Sequence, residues 1–405
     1  MSKQIFAGLK VADFTWAAAG PIITKQLADN GAIVVKIESY QHPDSIRLGG
    51  PFTDDKPGIN RSGFFADFHS SKLGIAVNLG NPRRGDIIRP LIAWADVVAD
   101  SFRPGVMAKW GFDYESLRAI NPAIISLSSS LYGADGPWAA HPGYGAQGQA
   151  LAGIQTMTGW PDRDPAMPKG AYSDSVSPRY GMAALAAALI HRHKTGLGQR
   201  IELSQIETTV KLLTPQLLQY QISGVEPRRS GNYKQDAIVH GVYPCQGEER
   251  WIVIEAQTPA QWEGLGAVLG AREALEALRA HYGPVDAEGT PSPLDAKLAE
   301  LTAPWDAFAL MAKLREAGTP AGVAYKSCDL LDDPVLAARA HFWPLNHAEM
   351  GTLKYNGPAY RFSRTPSELR SAAPLLGQHT EQVLTEILGF SGQAIAGFRD
   401  SGLLN

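Results

Sequence analysis

At 405 residues the chain is longer than one ordinary hydrophobic core organises, so two domains are expected. Its 37 Lys and Arg against 40 Asp and Glu leave a net charge of −3 with no basic run, which excludes a nucleic-acid binder. Two distant cysteines suggest a reducing compartment and no disulfide framework, and with no secretory-type apolar stretch near Met1 and no apolar run of bilayer length neither secretion nor a membrane span is expected. The expected location is the cytoplasm.

The first forty residues read as a βαβ unit. Leu9 to Phe14 is a strand, Trp16 to Pro21 a turn of small residues, Ile22 to Asp29 a helix and Ala32 to Glu38 a buried strand. Leu73 to Leu79 alternates like a strand, Arg84 to Trp94 has helical spacing, and Asp96 to Asp100 and Ala123 to Ser128 are short apolar strands. Ser177, Pro178 and the Ala-rich run Gly181 to His193 predict a helix capped at Ser177 and closed at Lys194-Thr195-Gly196. Arg200 to Ser204 adds a strand and Gln205 to Gln219 a long helix. This alternation predicts an α/β protein with a parallel sheet covered by helices on both faces. The polar stretch Glu226 to Asn232 marks a change of character near residue 224. Beyond it come a strand at Trp251 to Glu255, helical segments over 259–282 and 292–317, a loop-like region from about 335, and a short closing helix over Gln378 to Gly389.

Asp174 stands alone in the turn before the Ala-rich helix. The partial positive charge of a helix mouth favours its anion, which fits either a capping aspartate or a covalent nucleophile. Gly143-Tyr-Gly145-Ala-Gln-Gly148 has the dinucleotide pattern G-x-G-x-x-G but lacks a strand directly before it, which argues against a nicotinamide oxidoreductase. The first βα turn is a better ligand site, with Glu38 at the end of the next strand where a ribose-binding acid would stand. His191 and His193 are two apart on a helix and cannot share a metal ion, so no metal is expected. Arg47, Lys72, Arg103 and Lys109 recur near strand ends and together could hold a phosphorylated ligand, with Phe102 and Trp110 available to stack on an adenine ring.

These segments carry a resemblance. Val11-Ala-Asp-Phe-Thr-Trp-Ala-Ala-Ala-Gly-Pro21 with Val35-Lys-Ile-Glu38 resembles the opening of the family III CoA-transferases, which include formyl-CoA and carnitinyl-CoA transferases and the α-methylacyl-CoA racemase. Ser101-Phe-Arg-Pro-Gly105, Trp110-Gly-Phe112, Ile120 to Ile125, Ser173-Asp174, Arg192 to Gln199 and Pro374 to Leu384 match in the same order, across essentially the whole chain. The resemblance implies a large Rossmann-like domain with an inserted smaller α+β domain, and an interlocked homodimer. With the change near residue 224, the expected parts are 1–223, a small domain at 224–330 and a returning segment at 331–405. It implies coenzyme A and acyl-CoA as substrates. The family's nucleophilic aspartate falls on Asp174, and CoA-contacting positions fall on Ala18, Ala19, Ser39, Val77, Ser101, Phe102 and Lys109. Ser39 stands where arginine is common, so Arg47 or Arg103 is the expected cation for the 3′-phosphate.

The expected reaction moves CoA from an acyl-CoA to an organic acid through an aspartyl-CoA thioester. Oxyanion donors are sought among backbone amides near Gln147 to Gln149 and Ser175 and in the Gln149 side chain. His240, at the start of the small domain, is a candidate to reach the acyl group. Pro51-Phe52 with Asn60-Arg-Ser-Gly-Phe64 looks like the branch containing benzylsuccinate CoA-transferase, giving a dicarboxylic or aromatic acid as the expected acceptor. Two alternatives stand beside this reading. One is a 2-methylacyl-CoA racemase, disfavoured because Tyr144 stands where its histidine base would be. The other is a CoA-binding subunit that needs a paralogous partner in a heteromer.

Overall fold

In the computed structural model, which describes residues 4–286 and 289–404, the alternating strands and helices build one parallel sheet. In chain order come β1 (Lys10–Phe14), α1 (Ala19–Ala28), β2 (Ile33–Glu38), α2 (Gly63–Phe68), β3 (Leu73–Ala76), α3 (Gly85–Trp94), β4 (Val97–Asp100), α4 (Val106–Lys109), α5 (Tyr114–Ile120) and β5 (Ile125–Ser130). They are followed by α6 (Gly145–Leu151), α7 (Tyr172–Thr195), β6 (Arg200–Ser204), α8 (Gln205–Val210) and α9 (Thr214–Ser223). The strands lie in the order β3-β2-β1-β4-β5-β6, every pairing parallel. This is the doubly wound Rossmann order, in which the winding reverses between β1 and β4.

Both faces of the sheet are covered, which is why its strands read as unbroken apolar runs. Val11, Val34, Val97 and Ile125 pack with Ile23 and Leu27 of α1 and Leu185 of α7. Their neighbours Ala12, Val35 and Val98 point the other way, against Ile87 and Leu91 of α3.

The chain divides into two units. The first comprises Met1–Ala152, Ala171–Leu212 and Pro334–Asn405, and the second Gly153–Gly170 and Leu213–Asp333. The segment Gly153–Gly170, assigned above to the large domain, thus belongs to the second unit. That unit holds an antiparallel sheet of β7 (Val239–Pro244), β8 (Trp251–Ala256) and β9 (Ala321–Val323). Ile252 and Ile254 of this sheet share a core with α10 (Pro259–Leu269), α11 (Arg272–Leu278), α12 (Pro293–Thr302) and α13 (Ala307–Glu316). A short helix, α14 (Ser327–Leu331), follows.

The returning segment has more regular structure than the loop expected from its composition. After α15 (Pro334–Ala338), β10 (Phe342–His347) and β11 (Gly351–Asn356) form a hairpin. Pro344 lies within β10 and argues against a strand in a sequence; it is tolerated because β10 pairs on one side only. The expected closing helix is present: α16 (Thr380–Gln382) runs without a break into a wider π-helical stretch over Val383–Ile387, and a further helix, α17 (Gly392–Asp400), follows. Val383, Leu384, Ile395 and Phe398 complete the core over α3. The long helix expected from Gln205 breaks into α8 and α9, with Pro215 in the first turn of the second piece.

Seven ionisable side chains are buried together beside β1 and β2: Asp13, Lys36, Glu38, Asp44, Arg47, His69 and Lys72, each at most 2% exposed. Lys72 meets Asp13 at 3.0 Å, Lys36 meets Asp44 at 3.0 Å, and Arg47 clasps both oxygens of Glu38 at 2.8 Å. Burial, then the surrounding cations, holds His69 well below its usual range, so it is neutral beside three acids and three bases. Arg47 also donates to Asn60 Oδ1 at 3.0 Å and the Pro374 carbonyl at 3.2 Å, and lies 3.4 Å from the centre of the Phe65 ring. Arg47 and Lys72 are therefore not phosphate ligands, contrary to the sequence expectation. Their charges are already matched out of reach of solvent, and Glu38 is held by Arg47 in the same way.

Replacing Arg47 by Met strands a buried Glu38 charge and should lower unfolding free energy by about 3–5 kcal/mol. Arg103→Met, at an exposed site, should change it by less than about 0.5 kcal/mol. Urea unfolding of the two variants checks the contrast.

Candidate active site

In open α/β sheets ligands bind outside the strand carboxyl ends where the winding reverses. Here those ends are Thr15-Trp16-Ala17 after β1 and Ser101-Phe102-Arg103 after β4. The two turns are tied together: Trp16 N–H donates to Ser101 Oγ at 2.7 Å, and that hydroxyl donates to the Trp16 carbonyl at 3.0 Å. Against them opens a cleft of about 310 Å³ that takes in Ala18, Ala19, Ser101, Phe102, Arg103 and Tyr144, with Asp174 in its wall. Beyond Phe102 lies a mainly apolar cavity of about 320 Å³, lined by Ser39, Leu79 and Trp110. Trp16, Phe102 and Val106 border both. Phe102 meets Trp16 and Trp110 edge-on, with ring centres 5.4 and 5.2 Å apart.

Asp174 is not in a turn before its helix. Helix α7 begins at Tyr172, five residues before the expected cap, and carries Pro178 inside it. Pro178 has no N–H for the carbonyl four residues back, so the sequence signal resembles a start although the helix runs through. Ser177, expected to be the cap, is buried and donates to the Ser173 carbonyl at 2.7 Å. Asp174 is consequently the third residue of a 24-residue helix, still in the turn whose dipole favours an anion.

The glycine pattern before it has a packing role. Helix α6 starts at Gly145 and lies across the first turn of α7. A β-carbon at Gly145 would come 2.5 Å from Ala171 Cβ and run into Asp174 Oδ2, and one at Gly148 would be 2.8 Å from Ser173 Oγ. Only glycine allows this approach. It lets the Gly145 amide donate to the Asp174 carboxylate, which also accepts from the Gln205 side chain. Ser173 Oγ lies 3.1 Å from the Gly145 carbonyl and 3.3 Å from Gln205 Oε1. That contact occupies the oxygen of the Gln205 amide and leaves its nitrogen to face Asp174.

Burial raises the Asp174 carboxyl to about 6, against the two hydrogen bonds, which lower it. At neutral pH it remains ionised by about tenfold, in line with the expected anion. Asp100, at the end of β4, is also raised by burial to about 6, but it takes the Phe102 amide at 3.1 Å and faces a separate cavity.

Not all expected residues gather here. Val77 is fully buried in the core and gives its N–H to the Glu38 carbonyl at 2.7 Å, so its side chain contacts no ligand. Lys109 is exposed at the end of α4 and borders neither cavity. Gln149 is fully buried and does not border the cleft; its Oε1 accepts the Tyr172 N–H at 2.9 Å, and its Nε2 is closed off from solvent with no partner among the described residues. Tyr144 is 66% exposed at the cleft mouth. His240 belongs to the second unit, with Nδ1 3.1 Å from the Asn232 carbonyl. Among the described residues Arg103 has no ion-pair partner, and no group of acids, histidines and cysteines is placed to hold a metal. Gln205 escaped the sequence reading; its one signal is its place directly after β6, at a strand carboxyl end.

A sequence model of CoA-transferase family III matches residues 6–380. The chain belongs to CoA-transferase family III. It is 29% identical to a succinyl-CoA–D-citramalate CoA-transferase of Chloroflexus aurantiacus, over 93% of this chain and 92% of that protein. It is 30% identical to a succinate–glutarate CoA-transferase of Agrobacterium fabrum, over 95% and 96%. A crystal structure of a CAIB/BAIF family protein from Brucella suis superposes with a TM-score of 0.83 at 29% identity, covering 95% of this chain and all of that one. As a CoA-transferase the chain moves coenzyme A from an acyl-CoA to an organic acid. Among the described residues no helix is long and apolar enough to cross a membrane.

The raised Asp174 carboxyl makes a signed prediction for stability. The folded state keeps this proton up to about pH 6, whereas the unfolded chain releases it near 4. The ionised group therefore costs stability above pH 6, and the cost vanishes as pH falls below 4. Asp174→Asn should accordingly stabilise the protein at pH 8 by about 2 kcal/mol, allowing for partial exposure, and confer no gain at pH 4. Thermal unfolding of both proteins across this range measures it.

Proposed function

We propose that this CoA-transferase moves coenzyme A from an acyl-CoA to an organic acid through a thioester on Asp174. One observation carries the reading: an anionic carboxylate in a cleft wall, held by neutral amide donors and, among the described residues, by no cation. Asp174 attacks the donor's acyl carbon and expels the CoA thiolate, leaving an aspartyl–acyl anhydride. The thiolate then attacks the aspartyl carbonyl, releasing the donor acid and leaving CoA on the enzyme. The acceptor carboxylate attacks that thioester, and the same steps in reverse deliver the new acyl-CoA. Partial burial supports this chemistry, because a less solvated, more basic carboxylate is a better nucleophile than one in water.

The apolar cavity with Phe102 and Trp110 suits an adenine ring, and the Asp174 cleft suits the thioester end. With Arg47 committed to Glu38, Arg103 is the remaining candidate for a CoA phosphate. Succinyl-CoA is the favoured donor. The acceptors named for the two relatives, D-citramalate and glutarate, are both dicarboxylic acids, which supports a dicarboxylate over an aromatic acid. No histidine borders the cleft among the described residues, which favours transfer over racemisation. We also propose a homodimer. Helix α9 buries none of its residues, and Leu217, Leu218, Tyr220 and Ile222 are 44–84% exposed, a surface suited to a second copy.

Purified protein should exchange CoA between succinyl-CoA and dicarboxylic acids without another subunit. Asp174→Asn should lower kcat by at least about 10⁴-fold while CoA binding by calorimetry stays within about threefold. Transfer by the variant near the wild-type rate contradicts the assignment. Light scattering should give the mass of two chains; the mass of one contradicts the dimer.

A further inference from the structure

The turn after β1 is held at every step by side chains. Three successive N–H groups each donate to a side-chain oxygen: Thr15 to Asp13 Oδ1 at 2.9 Å, Trp16 to Ser101 Oγ at 2.7 Å and Ala17 to Asp44 Oδ1 at 2.9 Å. Buried Lys36 donates to the Thr15 carbonyl. Trp16 and Ala17 border the Asp174 cleft. Ala17 has a φ of 63°, in the left-handed region that is costly for any residue with a β-carbon. The turn needs this reversal because α1 folds straight back on it: a β-carbon at Gly20 would lie 2.6 Å from Thr15 Cβ and 3.2 Å from Ser101 Cβ. Asparagine or aspartate could ease such a conformation through its own side chain, but alanine cannot. Strain of this kind persists where the surroundings impose it, and it gathers at ligand sites.

Asp44 supplies the outside hold. It is fully buried, so it reaches no ligand itself. Its Oδ2 meets Lys36 at 3.0 Å, and pairing that cation needs no more. Its Oδ1 is turned to the cleft backbone, where it accepts the Ile46 N–H at 3.2 Å as well as that of Ala17. Ser45, between Asp44 and Ile46, borders the same cleft. The Asp44 N–H in turn donates to Glu38 Oε1 at 3.0 Å. One carboxylate therefore ties two stretches of the cleft wall to the buried ion network. Its bonds to their amides are charge-assisted and shut off from water, the setting in which a single hydrogen bond is strongest.

We propose that Asp44 is a positioning residue for coenzyme A: it keeps Ala17 left-handed, and the cleft wall in its binding shape, before the ligand arrives. The inference rests on the Asp174 cleft being the site that takes the thioester end of CoA. Without the hold, Ala17 relaxes toward the commoner right-handed and extended regions. The competent turn then falls to about a tenth of the population, and the apparent Kd for CoA rises by about tenfold.

The test measures CoA binding by calorimetry on the full chain carrying Asp44→Asn, Ala17→Gly or both. Asparagine keeps the shape of Asp44, but its NH₂ must face either Lys36 or the two backbone N–H groups, so the hold is broken. Asp44→Asn should raise the Kd by about tenfold when residue 17 is alanine. Glycine enters the left-handed region freely, so the same substitution should cost no more than about threefold beside Ala17→Gly. A Kd for Asp44→Asn within twofold of wild type overturns the inference. An equal loss in both backgrounds also overturns it, because it marks a general loss of packing around Lys36. Should Asp44→Asn not fold, hydrogen exchange on the wild-type protein carries the test: the Ala17 amide should be protected before CoA is added. Exchange at the rate of an unfolded chain until CoA binds overturns the inference. Phe102→Ala, which alters the cleft directly, separates the two readings. If it weakens CoA binding while Asp44→Asn does not, the inference alone fails. If it leaves the Kd unchanged, CoA does not occupy this cleft and that reading has failed instead.

Discussion

The site depends on one close approach, the backbone of Gly145 against the first turn of α7. Any side chain at that position would strike Asp174 and Ala171, so the carboxylate and its amide donor meet only because α6 begins with glycine. Ser173 then turns the Gln205 amide so that its nitrogen faces the same carboxylate. Two helix starts and a strand end thus converge on one side chain, at the edge of the cleft that doubly wound topology opens between β1 and β4. Precise placement of this kind is what an unassisted carboxylate nucleophile needs.

The protein treats its buried acids in two ways. Asp13 and Glu38 are deeper than Asp174, and burial pushes each of them up, but Lys72, Lys36 and Arg47 more than offset it and hold both below their usual range. Such acids are bound into the framework and cannot react. Asp174 has amide donors only, and burial prevails. It is neither locked in an ion pair nor open to bulk water. The absence of a countercharge costs stability and leaves the carboxylate basic, a combination more useful for chemistry than for folding.

Much of the fold was legible because the central strands are buried on both faces and flanked by turn residues. Val11 to Glu38 announces strand, helix and strand with little ambiguity, and Asp96 to Asp100 and Ala123 to Ser128 announce two further strands. Elements were misjudged where proline carries the signal. Pro178 suggested a helix start that lies five residues earlier, and Pro344 concealed a strand that tolerates it on a free edge. The site was legible in part. Asp174, Ala18, Ala19, Ser101, Phe102, Arg103 and Tyr144 do meet in one cleft, whereas Arg47, Val77 and Gln149 are buried in the framework. Nothing local distinguishes a loop arginine that binds phosphate from one clasped by a distant glutamate. Gln205 is an ordinary residue whose meaning comes from strand order, which no single segment of sequence carries.

The central claim is that Asp174 forms a covalent bond to the sulfur carrier. It is tested most directly by incubating the protein with succinyl-CoA, without acceptor, and mapping the modified peptide by mass spectrometry. The account predicts a CoA thioester on Asp174 that disappears when a competent acid is added. An unmodified protein that still transfers CoA, or a thioester on another carboxylate such as Asp100, would contradict it.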